Sequence, residues 1–400
     1  MRIASSPTQT PPPGAAPLLP ADRPLQWLGG LTPAQFMKRH WQRKPLLVRQ
    51  AMPDYAHRFA SQDLCELACE DDSEARLIRR QRGRWRLDTG PFEPEDFDAL
   101  PRRDWTVLIQ GVNLVDDAAH ALLDRFRFLP SARLDDVMIS LAAPGGGVGP
   151  HFDSYDVFLL QVEGRRRWRI GAQKDLSLQP GVPLKILADF QPETEYILEP
   201  GDMLYLPPRY AHDGTAIDRC VTASVGFRAP SLQELQSQCL FHLAERLEQG
   251  PRKLYQDSGE APTAMPGALP SRMVSDTLKA LQAQKWDEDA VSACLGAYLS
   301  EPKANVFFDG PQAPLSLARF LHMASRAGVV ADRKSILLYD ARRFYINGES
   351  LEMTARLKNG LRRLADQRHL DGTLFVTIAN DSSMVQCLHE WYLAGWISVA

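Results

Sequence analysis

The chain has 400 residues, 44% of them hydrophobic and 24% charged, the composition of a folded protein of two or three domains. With 49 acidic residues against 46 lysines and arginines, the net charge of −3 excludes a general attraction to nucleic acid or anionic membrane; such binding would need a local patch. No run of eighteen apolar residues occurs, so no membrane-spanning helix is expected.

In chain order, residues 1–22 begin MRIASSPTQTPPPGAAPLLP, rich in proline and without an apolar run of signal-peptide length, and predict a disordered tail. Thr32 and Pro33 stand where an N-cap and the first residue of a short helix belong, and the LLV at 46–48 is β-prone. Residues 62–73 and 114–128 carry helical spacing, the second with Leu114, Ala118, Leu122 and Phe126 on one face. From about 132 to 228 the texture changes to short β-prone runs: VMISLAA, YDVFLLQV, RRWRIG, TEYILEP, DMLYLPP and CVTASVGF. Turn residues separate them, which predicts an antiparallel barrel or sandwich.

Helical period returns at 231–249, where Leu232, Leu235, Cys239, Leu243 and Leu247 share a stripe. A linker-like stretch (258–271) precedes a further helix from about 272 to 299. The last hundred residues read as a helix (315–328), a hairpin turning at Asn347-Gly348, a helix (350–369), a strand-like TLFVTIA and a final helix, the order of a small winged-helix domain. Between 331 and 400, nine lysines and arginines nearly balance eight acids, so direct DNA binding is not expected there. The six cysteines (Cys65, Cys69, Cys220, Cys239, Cys294, Cys387) lack zinc-site spacing and are expected to be reduced thiols.

The stretch PGGGVGPHFDSYD (144–156) poses the choice between a phosphate loop and a metal site. A phosphate loop needs a helix N-terminus after its glycines, and HFDSYDVFLLQV reads as a strand. On a strand His151 and Asp153 project to one side, two-thirds of a 2-His-1-carboxylate iron site. His212, closing LEPGDMLYLPPRYAH, is the candidate third ligand, and Tyr155 shares the inward parity of the pair, either lining the pocket or packing. The glycines are expected to let the backbone run tight against the barrel mouth, where side chains would obstruct an incoming protein loop. In VEGRRRWRIG, Arg166 shares a face with Trp168 and Ile170. A buried arginine needs a carboxylate partner, and the residues alone leave open whether protein or ligand provides it.

GPHFD, GRRRW and PGDMLYLPPRYAHDG, with VGFRAP after them, resemble the JmjC-type cupin oxygenases, most of all the bacterial ribosomal oxygenases, over most of the chain. The resemblance implies an α+β fold: a double-stranded β-helix barrel with flanking helices (23–230), a helical dimerisation region with linker (231–299) and a C-terminal winged-helix domain (300–400). It implies His151, Asp153 and His212 as ligands of iron(II), Arg166 as the anchor of the cosubstrate 2-oxoglutarate, and Ser140 as a further cosubstrate contact. Thr222 stands where the family often has asparagine, a departure that puts its role in doubt. The implied reaction consumes dioxygen and hydroxylates an arginine of a large-subunit ribosomal protein, in a cytoplasmic homodimer without a membrane partner. Two alternatives accompany it: hydroxylation of histidine or another residue, and a non-enzymatic metal-binding cupin regulator.

Overall fold

The computed structural model describes residues 18–284 and 286–400, so most of the expected tail lies outside the described residues. Helix α1 (Pro33–Arg39) starts where Thr32 and Pro33 predict. The Thr32 hydroxyl accepts from the Gln35 amide and the Gln35 side chain accepts from the Thr32 amide, both at 3.1 Å, closing a reciprocal cap. Strand β1 (Leu46–Val48) follows, then α2 (Ser61–Leu67), shorter than its helical spacing suggests. Next come three strands and a short helix that the sequence reading leaves unassigned: β2 (Ala75–Gln81), β3 (Arg84–Thr89), α3 (Pro94–Asp98) and β4 (Trp105–Ile109). Helix α4 (Asp117–Asp124) occupies only the middle of 114–128, because the Asp116 carboxylate caps it by accepting from the Ala119 amide.

The β-prone runs form β5 (Leu134–Ala142), β6 (Val157–Glu163), β7 (Arg166–Gly171), β8 (Thr194–Leu198), β9 (Met203–Leu206) and β11 (Cys220–Phe227), with β10 (Ala211–Ala216) between the last two. All pair antiparallel in two sheets, one of eight strands in the order β1-β9-β6-β11-β5-β4-β2-β3 and one of three, β10-β7-β8. Period-two alternation divides the larger sheet's faces. Val137, Ile139, Leu141, Phe158 and Val225 point outward to a core shared with Phe36, Leu122 and Phe126 of the N-terminal helices. Val157, Leu159, Leu204 and Leu206 point inward and meet Trp168, Ile170 and Leu198 of the smaller sheet, closing a cupin-type barrel. Each fully buried side chain in these clusters contributes about 1.5–3 kcal/mol by leaving water.

Beyond the barrel, α5 (Leu232–Gln249) buries only Cys239 and Leu243 of its stripe, leaving Leu232 and Leu247 exposed. The single helix expected at 272–299 is two, α6 (Ser271–Gln282) and α7 (Glu288–Ser300), because the Asp287 carboxylate accepts from the Ala290 amide and starts a new helix. The C-terminal domain runs α8 (Leu317–Ala327), β12 (Val329–Ala331), β13 (Leu337–Tyr339), β14 (Arg343–Ile346), β15 (Glu349–Glu352), α9 (Lys358–Gln367), β16 (His369–Leu370), α10 (Gly372–Ala379), α11 (Ser382–Leu393) and β17 (Ile397–Val399). Asn347 and Gly348, with φ of 50° and 90°, turn β14 into β15, so residues 349–352 are strand rather than the start of a helix. TLFVTIA is helical, not a strand: Asp371 caps α10 by accepting from the Leu374 amide, and Phe375 and Ile378 bury in the domain's core. Packing and a cap there override β propensity. All six cysteines are unpaired thiols, and no helix of the described residues is long and apolar enough to cross a membrane.

Candidate active site

His151 does not sit on a strand: β6 begins at Val157, and residues 152–156 form a loop. An isolated antiparallel bridge carries it instead. His151 and His212 exchange backbone hydrogen bonds of 2.9 and 2.8 Å. Such a pair directs both side chains to one side of the ladder, and the imidazole centroids lie 4.1 Å apart. His212 itself belongs to β10 of the smaller sheet, a strand the sequence reading missed, rather than to a loop after Pro207-Pro208. The Asp153 carbonyl accepts from the Arg209 amide at 2.7 Å, and the Asp153 carboxylate reaches to 3.6 Å from His212 Nε2. One ligand atom from each of the three residues lies within 4.8 Å of the other two, and among the described residues no second such group occurs.

The ring protons are assigned by the same backbone. His151 Nδ1 faces the Gly149 carbonyl and His212 Nδ1 the Tyr210 carbonyl, both at 2.9 Å. A carbonyl only accepts, so each Nδ1 carries the proton and each Nε2 presents a lone pair. Burial, with the neighbouring His151, pushes His212 down to about 4 and keeps its ring neutral at pH 7. Two imidazole nitrogens and one carboxylate on one side form the facial donor set suited to non-haem iron(II), with positions left for other ligands.

Arg166 answers the question left open by its parity. It is 5% exposed, on the same face of β7 as Trp168 and Ile170, and its guanidinium carbon stands 5.8 Å from the Trp168 ring centroid. No carboxylate pairs with it among the described residues, and its Nε and Nη2 have no hydrogen-bond partner. Thr106 Oγ1 and Trp168 Nε1, on the same inner side of the barrel, are likewise buried without a partner. Beside Arg166, Ala216 packs with Ala142 and Cys220, side chains too small to fill the space an inward arginine faces. Native proteins rarely leave such donors unpaired, and a ligand carboxylate taken up bidentately satisfies them. The residues present therefore fit a small dicarboxylate as well as a metal.

Ser140 and Thr222 are cross-strand partners on β5 and β11, buried on the inward face. The Thr222 hydroxyl donates to Gln161 Oε1 at 3.0 Å, and Gln161 Nε2 donates to the carbonyls of Glu163 and Gly164, so the protein already satisfies Thr222 as a donor. Ser140 Oγ donates to the Thr222 carbonyl only at 3.4 Å. Gln161 escaped the sequence reading; a lone amide in the apolar run VFLLQV was its signal. Thr106 escaped too, although the β-branched and aromatic run WTVLI at 105–109 was a signal that could have marked a barrel strand.

Outward along β5 from Ser140 lie Met138 and Asp136 on the same face. Asp136 is 5% exposed; its Oδ2 accepts from Gln110 at 2.6 Å and from Lys303 at 3.2 Å, while Oδ1 has no protein donor among the described residues. Burial pushes its carboxyl above the usual range. Tyr155, 40% exposed, stands opposite: a methyl group at Gly226 would lie 3.7 Å from Asp136 Oδ1 and 3.9 Å from Tyr155 Cε2. Burial and the nearby Asp153 and Asp136 raise the Tyr155 hydroxyl, which stays protonated.

The glycines before His151 let the backbone run tight against the barrel, as expected. A Cβ at Gly146 would fall 2.0 Å from the Trp105 carbonyl oxygen, and one at Gly147 2.4 Å from that of Gly214. They let the loop run against the backbones of β4 and β10, where any larger side chain would clash with the barrel itself.

The JmjC domain family matches residues 121–235, and the ROXA-like winged-helix family matches residues 283–398. The ribosomal protein uL16 3-hydroxylase of Escherichia coli is 36% identical over 282 residues, spanning 70% of this chain and 74% of that protein. A Haemophilus influenzae protein named "Probable ribosomal oxygenase" is 30% identical over 396 residues, 92% of this chain and 96% of the relative. Among solved structures, the E. coli ribosomal oxygenase YcfD in complex with cobalt and 2-oxoglutarate superposes with a TM-score of 0.77 at 30% identity, covering 92% of this chain and 98% of that one.

Proposed function

We infer the target of the reaction from one premise: this chain belongs to the ribosomal oxygenases of the JmjC class, and it is a 2-oxoglutarate-dependent oxygenase. Its substrate is a ribosomal protein, in our reading an arginine side chain of the large-subunit protein uL16. The observation that carries the arginine is Asp136, a buried carboxylate with one oxygen free of protein donors, facing Tyr155 two residues from Asp153. A guanidinium entering between them gains a charge-assisted hydrogen bond and an aromatic face, and its aliphatic carbons then lie toward the triad.

His151, Asp153 and His212 would hold iron(II), and Arg166 would take the far carboxylate of 2-oxoglutarate, its neighbours Ala142, Ala216 and Cys220 leaving the room. When bound, iron(II), 2-oxoglutarate and dioxygen supply the oxidising chemistry that places one oxygen atom on a substrate carbon, with succinate and carbon dioxide as co-products. The chain's part is to keep His212 neutral, to orient the cosubstrate by its tail and to exclude water by the apolar inner walls. Ser140 and Thr222 line the cosubstrate side in this reading, Thr222 by fixing Gln161.

The remaining readings follow the same line. The catalytic domain spans 23–230, the dimerisation region 231–299 and the winged helix 300–400, in a cytoplasmic homodimer. Leu240 and Phe241 on α5 and Leu278 and Leu281 on α6, each more than half exposed, support the dimer. Sedimentation at the monomer mass would remove it. The target is tested by incubating the protein with iron(II), 2-oxoglutarate and uL16 and sequencing the product by mass spectrometry. One added oxygen on an arginine is expected; oxygen on a histidine would transfer the assignment to histidine, and no gain on any ribosomal protein would overturn it.

A further inference from the structure

Between residues 76 and 88 the hairpin of β2 and β3 carries six arginines (Arg76, Arg79, Arg80, Arg82, Arg84, Arg86) against one acid, Asp88, a local charge of +5 in a chain whose total is −3. Asp88 is shared by Arg79 and Arg86. Arg80, Arg82 and Arg84, with Arg102 and Arg103 just before β4, are all exposed, and no carboxylate pairs with them among the described residues. The Arg80 amide donates to the Asp104 carbonyl, so the two clusters form one patch at the turn end of the hairpin.

Two further observations separate this patch from an ordinary solvated edge. Arg82 and Gly83, with φ of 50° and 78°, take the two central places of the turn. Asparagine or glycine favours the left-handed region, and arginine is held there at a cost in strain. The patch also adjoins the active site. Arg80 stacks over Trp85 at 5.3 Å, and Trp85 packs so closely on Gly149, whose carbonyl holds His151 Nδ1, that a methyl group there would lie 2.9 Å from its ring.

We propose that the β2–β3 hairpin binds the phosphate backbone of RNA beside the barrel mouth. A substrate offering an arginine gains nothing from an arginine patch; it is served by Asp136, so the hairpin faces a different, polyanionic partner. Arg80, Arg82 and Arg84 cluster around the hairpin turn, with Arg102 and Arg103 beside them, and their planar forks take phosphate oxygens bidentately. Arg80 covers one face of Trp85 and Gly149 abuts its ring, which makes Trp85 an anchor for Arg80 rather than a platform for bases. Recognition is therefore of phosphates and independent of base sequence. The inference goes beyond the hydroxylation reading and rests on its arginine assignment in separating the hairpin's partner from the target side chain.

The test is fluorescence anisotropy of a short labelled single-stranded RNA with the full chain. Engagement of three or four phosphates gives a slope of log affinity against log salt of about −2 to −3. The variant Arg82→Asn/Arg84→Gln keeps a turn residue suited to its conformation. It is expected to weaken binding about tenfold at about 50 mM salt and to shift the slope toward about −1. Absence of binding by the wild type, or equal binding by the variant, overturns the proposal. Displacement of RNA by polyglutamate at equal charge concentration overturns it in favour of an acidic protein. Unchanged RNA affinity with aggregation of the variant overturns it in favour of edge-strand protection. Hydroxylation of an isolated uL16 peptide stays within about twofold in the variant, since no phosphate is present in that assay. Failure of the wild type in that peptide assay counts against the target assignment and leaves the RNA result standing.

Discussion

The barrel and the winged-helix domain each bury an arginine, and the two are provided for in opposite ways. Arg368, 7% exposed at the end of α9, donates to the carbonyls of Ser335 and Asp332 and ties its domain together. Burial pulls it down to about 10, which still leaves it charged at neutral pH. Arg166, equally buried, has two donors that meet nothing. The first is a structural cation whose partners come from the fold; the second is left by the fold without a partner, which supports the proposed role of receptor for a ligand carboxylate. Burial alone distinguishes neither; the partner inventory does.

Variants can break or sharpen that contrast. The largest effect is expected for Asp153→Ala: turnover falls to background while the thermal transition stays in place, as measured by succinate release and calorimetry. Arg166→Met raises the KM for 2-oxoglutarate by about 10- to 100-fold, the worth of a charge-assisted bidentate pair, and leaves stability equal or higher because an uncompensated buried charge is gone. Arg368→Met does the reverse: it costs about 2–4 kcal/mol in denaturant unfolding, since the Ser335 and Asp332 carbonyls lose a charged donor, with the KM for 2-oxoglutarate unchanged. If both substitutions lowered stability alike, the distinction between receptor and structural cation would fail. Asp136→Asn reduces kcat/KM for the protein target about tenfold without altering uncoupled succinate formation. The smallest effect is expected for Gly147→Ala, which costs about 1–3 kcal/mol of stability and lowers hydroxylation and uncoupled turnover together, because its methyl group meets the Gly214 backbone.

Legibility in the sequence followed the clarity of the local pattern. The runs that became β5, β6, β7, β9 and β11 bury one or both faces and announce themselves by β-branched and aromatic residues. Strands β2 and β3 hid because arginines occupy both faces of ARLIRRQRGRWRLDT and erase the period. Strand β10, AHDGTA, lacks β-branched apolar residues; it is held by its ladder to β7, which no local pattern reveals. TLFVTIA misled in the opposite direction, a β-prone segment made helical by its cap and its packing. His151 and Asp153 do come together with His212, yet through a bridge and a loop rather than through strand parity. Asp136 was invisible because what marks it is a missing partner, a property of the assembled mouth.

The register of β7 with β10 has a consequence for molecular length. Ala216 lies opposite Arg166 and His212 opposite Ile170, so one pair of strands carries the proposed anchor at one end and the proposed metal ligand at the other. Four residues of strand separate them, roughly 13 Å along the ladder. If Arg166 and His212 act as proposed, the ladder would serve as a gauge block: a keto diacid one carbon shorter or longer than 2-oxoglutarate would satisfy one end at the expense of the other.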